Sequence, residues 1–280
     1  MSRKNRKARR RDAQADHNNF DQRGGSRRGR KNRNIEKEMS AIAFDQITRQ
    51  EGPKKKKWSL HDIVQIQPLT EVQREFYQCY LQGDHVVGYG SAGTGKSFLG
   101  LFLGLRDVID KDQPQKKVII VRSVVPSREM GHLPGTIDEK CEVYEMPYMD
   151  ICAELFRKKS TYSDMKEAGL IEFLPTSFIR GSTWDDAIIV VDEAQNMTFH
   201  ELNSVLTRVG QNSRVILLGD VRQTDFTKKH EVSGFAKAIQ IAEDMDEFAT
   251  VEFGRNDIVR SAFVKSWIIA AESFDDSGFQ

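Results

Sequence analysis

Residues 86–109 read VVGYGSAGTGKSFLGLFLGLRDVI, and the fold is decided there. Val86–Tyr89 is a short apolar run of strand character, and Ser97–Ile109 carries apolar residues at helical spacing. Between them Gly90-Ser91-Ala92-Gly93-Thr94-Gly95-Lys96-Ser97 fills every position of G-x-x-x-x-G-K-[ST]. The chemistry requires each part. Glycines let the backbone turn its N–H groups inward around phosphate oxygens. The helix that starts there adds unpaired N–H groups and the positive end of its dipole. Lys96 is placed to meet the β- and γ-phosphates, and Ser97 to give a hydroxyl to Mg2+. The ATP site is therefore expected at Gly90, Ser91, Ala92, Gly93, Thr94, Gly95, Lys96 and Ser97, with Phe98 beside them.

Outward from this loop, apolar runs alternate with helical patterns. Further strands are predicted at Val118–Arg122, Leu170–Phe173, Ala187–Val191, Val215–Leu218 and Thr250–Phe253, and further helices at Thr198–Val209, Ser233–Glu243 and Asp257–Ala271. Thr198 reads as an N-cap and Gly210 as the residue just past that helix's end. The alternation predicts an α/β fold, a mainly parallel sheet with helices on both faces. Residues 123–165 read as an insertion: a Pro/Gly-bearing loop over Pro126–Gly135, then an amphipathic helix around Ile137–Phe156.

The run Ala187–Val191 ends in Asp192 and Glu193. Ligand-carrying strand ends share one edge of a parallel sheet. Asp192 is therefore expected beside the phosphate loop, holding Mg2+ through its water. Glu193 is read as the general base that polarises the attacking water, which argues for hydrolysis over a passive nucleotide switch. The plainer alternative is a strand running into an acidic loop. Val215–Leu218 leads to Gly219-Asp220-Val221-Arg222-Gln223. Gln223 is expected to sense the γ-phosphate, provided its strand lies between the phosphate-loop strand and the Asp-Glu strand. Its plainer alternative is a turn residue facing solvent.

Taken in order, GSAGTGKS, VVDEAQN and LLGDVRQTD resemble the PhoH family of ATPases, which is similar to the first RecA-like half of superfamily 1 RNA and DNA helicases. The resemblance covers roughly residues 60–275. It extends to Gly131-His132-Leu133-Pro134-Gly135, Arg180-Gly181-Ser182-Thr183 and Asp257-Ile258-Val259-Arg260, and Pro68-Leu69-Thr70-Glu71-Val72-Gln73 resembles the helicase motif whose glutamine reads adenine. The resemblance implies a RecA-like fold, Mg2+-dependent hydrolysis of ATP, coupling to RNA or single-stranded DNA, and a homo-oligomer in the form of a hexameric ring. It makes Gln73 the adenine reader and Arg180 a link to nucleic acid. In such helicases a second RecA-like domain supplies an arginine that stabilises the transferring phosphoryl group. No second half is legible after Glu193. The arginine is therefore expected from the same domain or a neighbouring subunit, with Arg260 first and Arg255 as the alternate.

Composition bounds the rest. No apolar run approaches the roughly 20 residues that span a bilayer. The basic, polar N-terminus lacks the apolar core of a secretory signal. Cys79, Cys141 and Cys152 are odd in number without C-x-x-C spacing, and the six histidines are scattered, which points away from disulfides and zinc and toward a reducing cytoplasm. The net charge of +1 hides an asymmetry: residues 1–34 carry 13 Lys or Arg against three Asp, whereas the remainder is acidic. Residues 1–57 are read as a disordered basic tail and linker, 58–275 as the ATPase domain and 276–280 as a short tail. The basic tail is a nucleic-acid arm or, alternatively, a solubilising or partner-binding segment. Trp58, after Lys54–Lys57, is a base-stacking surface or a packing residue at the domain edge. Two other functions compete with the ATPase: a nucleic-acid-binding or scaffolding protein that uses ATP as a switch, and a small-molecule kinase. Glu193 disfavours the first, and the Asp-Glu pair with Gln223 suits water better than an alcohol as acceptor. As an arm, residues 1–34 would neutralise phosphates and release counterions. Their deletion should weaken RNA or single-stranded DNA binding and flatten its salt dependence while leaving basal ATPase unchanged. Binding isotherms at several salt concentrations check this; an unaltered slope would assign the tail to another role.

Overall fold

The computed structural model of the chain describes residues 57–124, 137–179, 181, 183–221 and 233–276. These fall in one compact unit, Lys56–Gln280. The basic tail and Gly131–Gly135 lie outside the described residues, as do Arg180, Ser182, Arg222 and Gln223. Six strands form the sheet: β1 (His85–Gly90), β2 (Lys117–Arg122), β3 (Ile171–Pro175), β4 (Ala187–Asp192), β5 (Arg214–Gly219) and β6 (Phe248–Phe253). Their order is β3-β2-β4-β5-β1-β6 and every pairing is parallel. Among the described residues seven α-helices accompany them: α1 (Glu71–Gln82), α2 (Lys96–Ile109), α3 (Ile137–Phe156), α4 (Thr161–Glu167), α5 (Phe199–Leu206), α6 (Phe235–Glu243) and α7 (Ala262–Asp276). This is the RecA-like P-loop fold, with β5 inserted between β1 and β4 as a sensor strand requires.

The apolar runs of the strands have a physical cause. Both faces of the sheet are covered, so successive residues serve two cores. Val118, Ile120, Ile188, Val190, Ile216 and Leu218 point to one face, under α1 to α4. Ile119, Val121, Ile189, Val191, Val215 and Leu217 point to the other, under α5 and α6. Helix α2 lies close on the sheet: a Cβ on Gly100 would come within 2.8 Å of a Leu218 methyl carbon. Only glycine permits that approach without displacing Leu218.

Thr198 caps α5 through a capping box with Glu201, as the sequence predicts. The helix stops earlier than expected, at Leu206, because Gly210 is used otherwise: its N–H bonds Trp184 O at 2.8 Å beside the Trp184–Val209 bridge. The last helix starts at Ala262, five residues later than expected. Asp257 accepts the Gly254 N–H at 3.0 Å and closes a 3-10 turn, Ile258 is extended, and the Val259 N–H donates to Gly93 O at 3.0 Å. Helices α1 and α4 had no counterpart in the sequence reading. Trp58 is a packing residue: it is buried, with its ring edge-on to Phe156 at 5.2 Å.

At the edge of the sheet opposite the phosphate loop, His85 Nδ1 accepts the Val215 N–H at 3.1 Å. Burial, and then the Arg214 guanidinium, pull the imidazole below its usual value of 6.5. The folded state thus favours neutral His85, while the unfolded chain takes up a proton more readily. The stabilisation is complete above that usual value and is lost as pH falls through the lowered folded one. Between about pH 7.5 and about pH 5.5 the Tm should fall, and the fall should be smaller in His85→Asn. Equal slopes in thermal melts of the two proteins would contradict this.

Candidate active site

The carboxyl ends of β1, β4 and β5 meet at one edge, and the motif residues assemble there. The loop after β1 is seated on β6: Ser91 N–H bonds Phe253 O at 2.9 Å. Gly90 has φ +116°, and a Cβ there would lie 2.2 Å from Phe253 O, so this turn admits only glycine. Gly95, at φ +81°, caps α2, whose first residue is Lys96. Lys96 is folded back into the loop, donating to Gly90 O at 2.7 Å, Ser91 O at 2.7 Å and Thr94 Oγ1 at 3.2 Å. Those carbonyls stand in for phosphate oxygens. Burial pulls the ammonium below its usual value, and the carboxylates of Asp220, Glu193 and Asp192 counteract that. The cation therefore sits in a partly dry cradle where a polyanion would be strongly bound.

Ser97 Oγ donates to Asp192 Oδ1 at 2.8 Å, joining residues 95 apart in sequence. Asp192 is buried, and its Oδ2 accepts the Tyr148 hydroxyl at 2.9 Å. Hydroxyl and carboxylate oxygens are the ligands, direct or through water, that magnesium prefers. The pair therefore fits a Mg2+ completed by phosphate oxygens and water, and Ser97 and Asp192 would hold it. Glu193 takes the left-handed conformation at φ +53°, uncommon for a side chain of this kind. Burial, then the neighbouring Asp192 charge, raise its carboxyl above the usual value, with the Gln195 hydrogen bond, Arg122 and Lys96 opposing. A carboxylate moved toward neutrality is better matched to general-base work.

Gln195 ties these parts together. Its Nε2 donates to Glu193 Oε2 at 2.6 Å, and its Oε1 accepts the Asp220 N–H at 3.0 Å, so one buried amide links the ends of β4 and β5. In the sequence Gln195 is legible only as part of the motif VVDEAQN. The spacing D-E-A-Q was the available signal. Tyr148 and Arg122 were missed because their partners lie far along the chain.

Gln73 is buried against the phosphate loop with both ends of its amide in use: Oε1 accepts Leu69 N–H at 2.7 Å and Nε2 donates to Thr94 O at 2.8 Å. Arg260 is exposed and lies over its own phosphate loop, its Cγ 3.0 Å from where a Cβ on Gly93 would be. Arg255 instead donates from Nε to the buried Glu272 at 2.6 Å, fastening α7. Gln223 follows the correctly placed β5 but lies outside the described residues, as does Arg180. Among the described residues no group of three or more His, Cys, Asp or Glu is arranged to hold a metal by itself, and no helix is long and apolar enough to cross a membrane.

The family model described as PhoH-like protein matches residues 65–272. A PhoH-like protein of Bacillus subtilis is 35% identical over 206 residues, 73% of this chain and 63% of that protein. Protein PhoH of Escherichia coli is 32% identical over 203 residues, 72% of this chain and 56% of its own length. The chain thus spans less than two thirds of these relatives. Among solved structures, the Pif1 helicase of Candida albicans is similar at 18% identity over 71% of this chain and 43% of that one, with a TM-score of 0.34.

As a brace on the loop, Gln73 should serve every nucleotide alike. Gln73→Ala should weaken ATP and GTP by similar factors, on the order of tenfold for the lost hydrogen bonds. Fluorescence titrations with both nucleotides check this. Loss of ATP affinity alone would be the signature of adenine reading.

Proposed function

The chain belongs to the PhoH-like family, and from that premise we propose that it is a Mg2+-dependent ATPase that converts ATP and water to ADP and phosphate, coupled to RNA or single-stranded DNA. The observation that carries the reading is the contact of Ser97 with Asp192, flanked by Lys96 and by Glu193 with its raised pKa. Lys96 would exchange the Gly90 and Ser91 carbonyls for β- and γ-phosphate oxygens. Magnesium, when bound, neutralises charge on those oxygens. Glu193 would take the proton of the attacking water, and Gln195 keeps it aimed. Gln223 is proposed as the γ-phosphate sensor at the end of β5. Water as acceptor is favoured over a passive switch because a general base stands next to the metal-positioning carboxylate.

Arg260 is proposed to stabilise charge at its own chain's nucleotide, a role supported by its contact with Gly93 of the same chain. A homo-oligomer, counted as a hexameric ring on the family resemblance, remains part of the proposal. It is supported by α7, which carries Phe263, Trp267 and Phe274 at 77%, 68% and 61% exposure on the helix whose Ile268 packs at Gly93. A second copy docked on that row would border the nucleotide. The basic tail is the proposed arm for nucleic acid, and the cytoplasm the proposed location.

Lys96→Ala should abolish nucleotide binding, since the cradle loses its cation. Glu193→Gln should retain binding and lose about 10²–10⁴ in turnover, the usual contribution of a general base. Phosphate release and nucleotide titration on the two variants check this. Wild-type turnover in Glu193→Gln would remove Glu193 from the role of base.

A further inference from the structure

Helix α3 comes from the insertion between β2 and β3, and it reaches the magnesium carboxylate. Tyr148, near the middle of α3, is 1% exposed and gives its hydroxyl proton to Asp192 Oδ2 at 2.9 Å. The other oxygen of Asp192 is held by Ser97 at 2.8 Å. Arg122 ends β2 directly opposite Asp192 in the register of β4. Its guanidinium lies 5.8 Å over the ring of Tyr144, one turn earlier on α3. An ionised carboxylate only accepts, so the Tyr148 hydroxyl directs its proton to Asp192. The ring itself is fixed against Phe173, with centroids 6.0 Å apart.

We infer that Tyr148 is a positioning residue of the metal site, locking the Asp192 carboxylate in the rotation that Ser97 and the hydrated magnesium ion need, so that this one hydroxyl sets the affinity for Mg2+-nucleotide. This rests on the nucleotide reading above and deepens it. An Asp192 held from one side only, by Ser97, could rotate about its side-chain bond. Held from both sides, it presents its remaining lone pairs in one direction. The hydroxyl is costly to bury without purpose, since the same space could be filled by phenylalanine. The insertion would thereby act on the site without touching nucleotide.

Tyr148→Phe removes the hydroxyl and leaves the ring in its packing. The test titrates magnesium into the full chain with a fluorescent ATP analogue and reads nucleotide affinity rather than turnover. The Mg2+ concentration at half-effect should rise roughly tenfold, as for a lost hydrogen bond to a charged group, with affinity in EDTA unchanged. Tyr162→Phe is the control: it removes another buried tyrosine hydroxyl, bonded to Glu145 at 2.6 Å, and should cost stability without moving the magnesium curve. Superimposed curves for wild type and Tyr148→Phe, or an equal shift in Tyr162→Phe, would overturn the inference alone. A wild-type chain whose nucleotide affinity ignores magnesium would overturn the nucleotide reading and this inference with it.

Discussion

The hydrogen bond from Ser97 to Asp192 is the contact on which the site depends. It joins the first turn of α2 to the end of β4, across β5. Such a contact exists only if the strands are parallel and end together, and if α2 starts at the phosphate loop. The two cores enforce both conditions. Alternate residues of β2, β4 and β5 are buried on opposite faces, so a slip of one residue would exchange the two cores and is strongly disfavoured. The rigidity of the sheet becomes the precision of the site.

Around that contact the polar groups are engaged with one another. Lys96 rests on loop carbonyls, Gln73 holds Thr94, and Gln195 bridges Glu193 to Asp220. The site is thus preorganised, and a nucleotide exchanges existing contacts instead of building the geometry. A low-dielectric cradle makes each exchanged contact count for more than it would in water. The segment Gly254–Arg260 adds a second wall by hydrogen-bonding Gly93 through Val259. That wall explains why the last helix starts late: residues with helical spacing were claimed by the loop.

Much of this was legible in the sequence, for identifiable reasons. Strands buried on both faces, β2, β4 and β5, read as nearly unbroken Val/Ile/Leu runs, and all six strands were found within a few residues. The phosphate loop and the Asp-Glu pair each lie within a contiguous stretch, so their chemistry could be read locally. The order of β5 between β1 and β4 followed from the role expected of Gln223. The grip of Gln73 on Thr94 and of Tyr148 on Asp192 could not be read, because each joins residues 21 and 44 apart through the packing of a helix on the sheet. Arg260 at Gly93 likewise follows from a turn closed by Asp257, which helical periodicity conceals.

We propose that this edge is a hydrolytic site and not a nucleotide switch. The most direct test is a single-turnover experiment, with enzyme in excess over radiolabelled ATP, following phosphate release with Mg2+ and with EDTA. Complete conversion to ADP and phosphate, dependent on magnesium, is the expected result. Tight ATP binding with no phosphate released over the same period would contradict it.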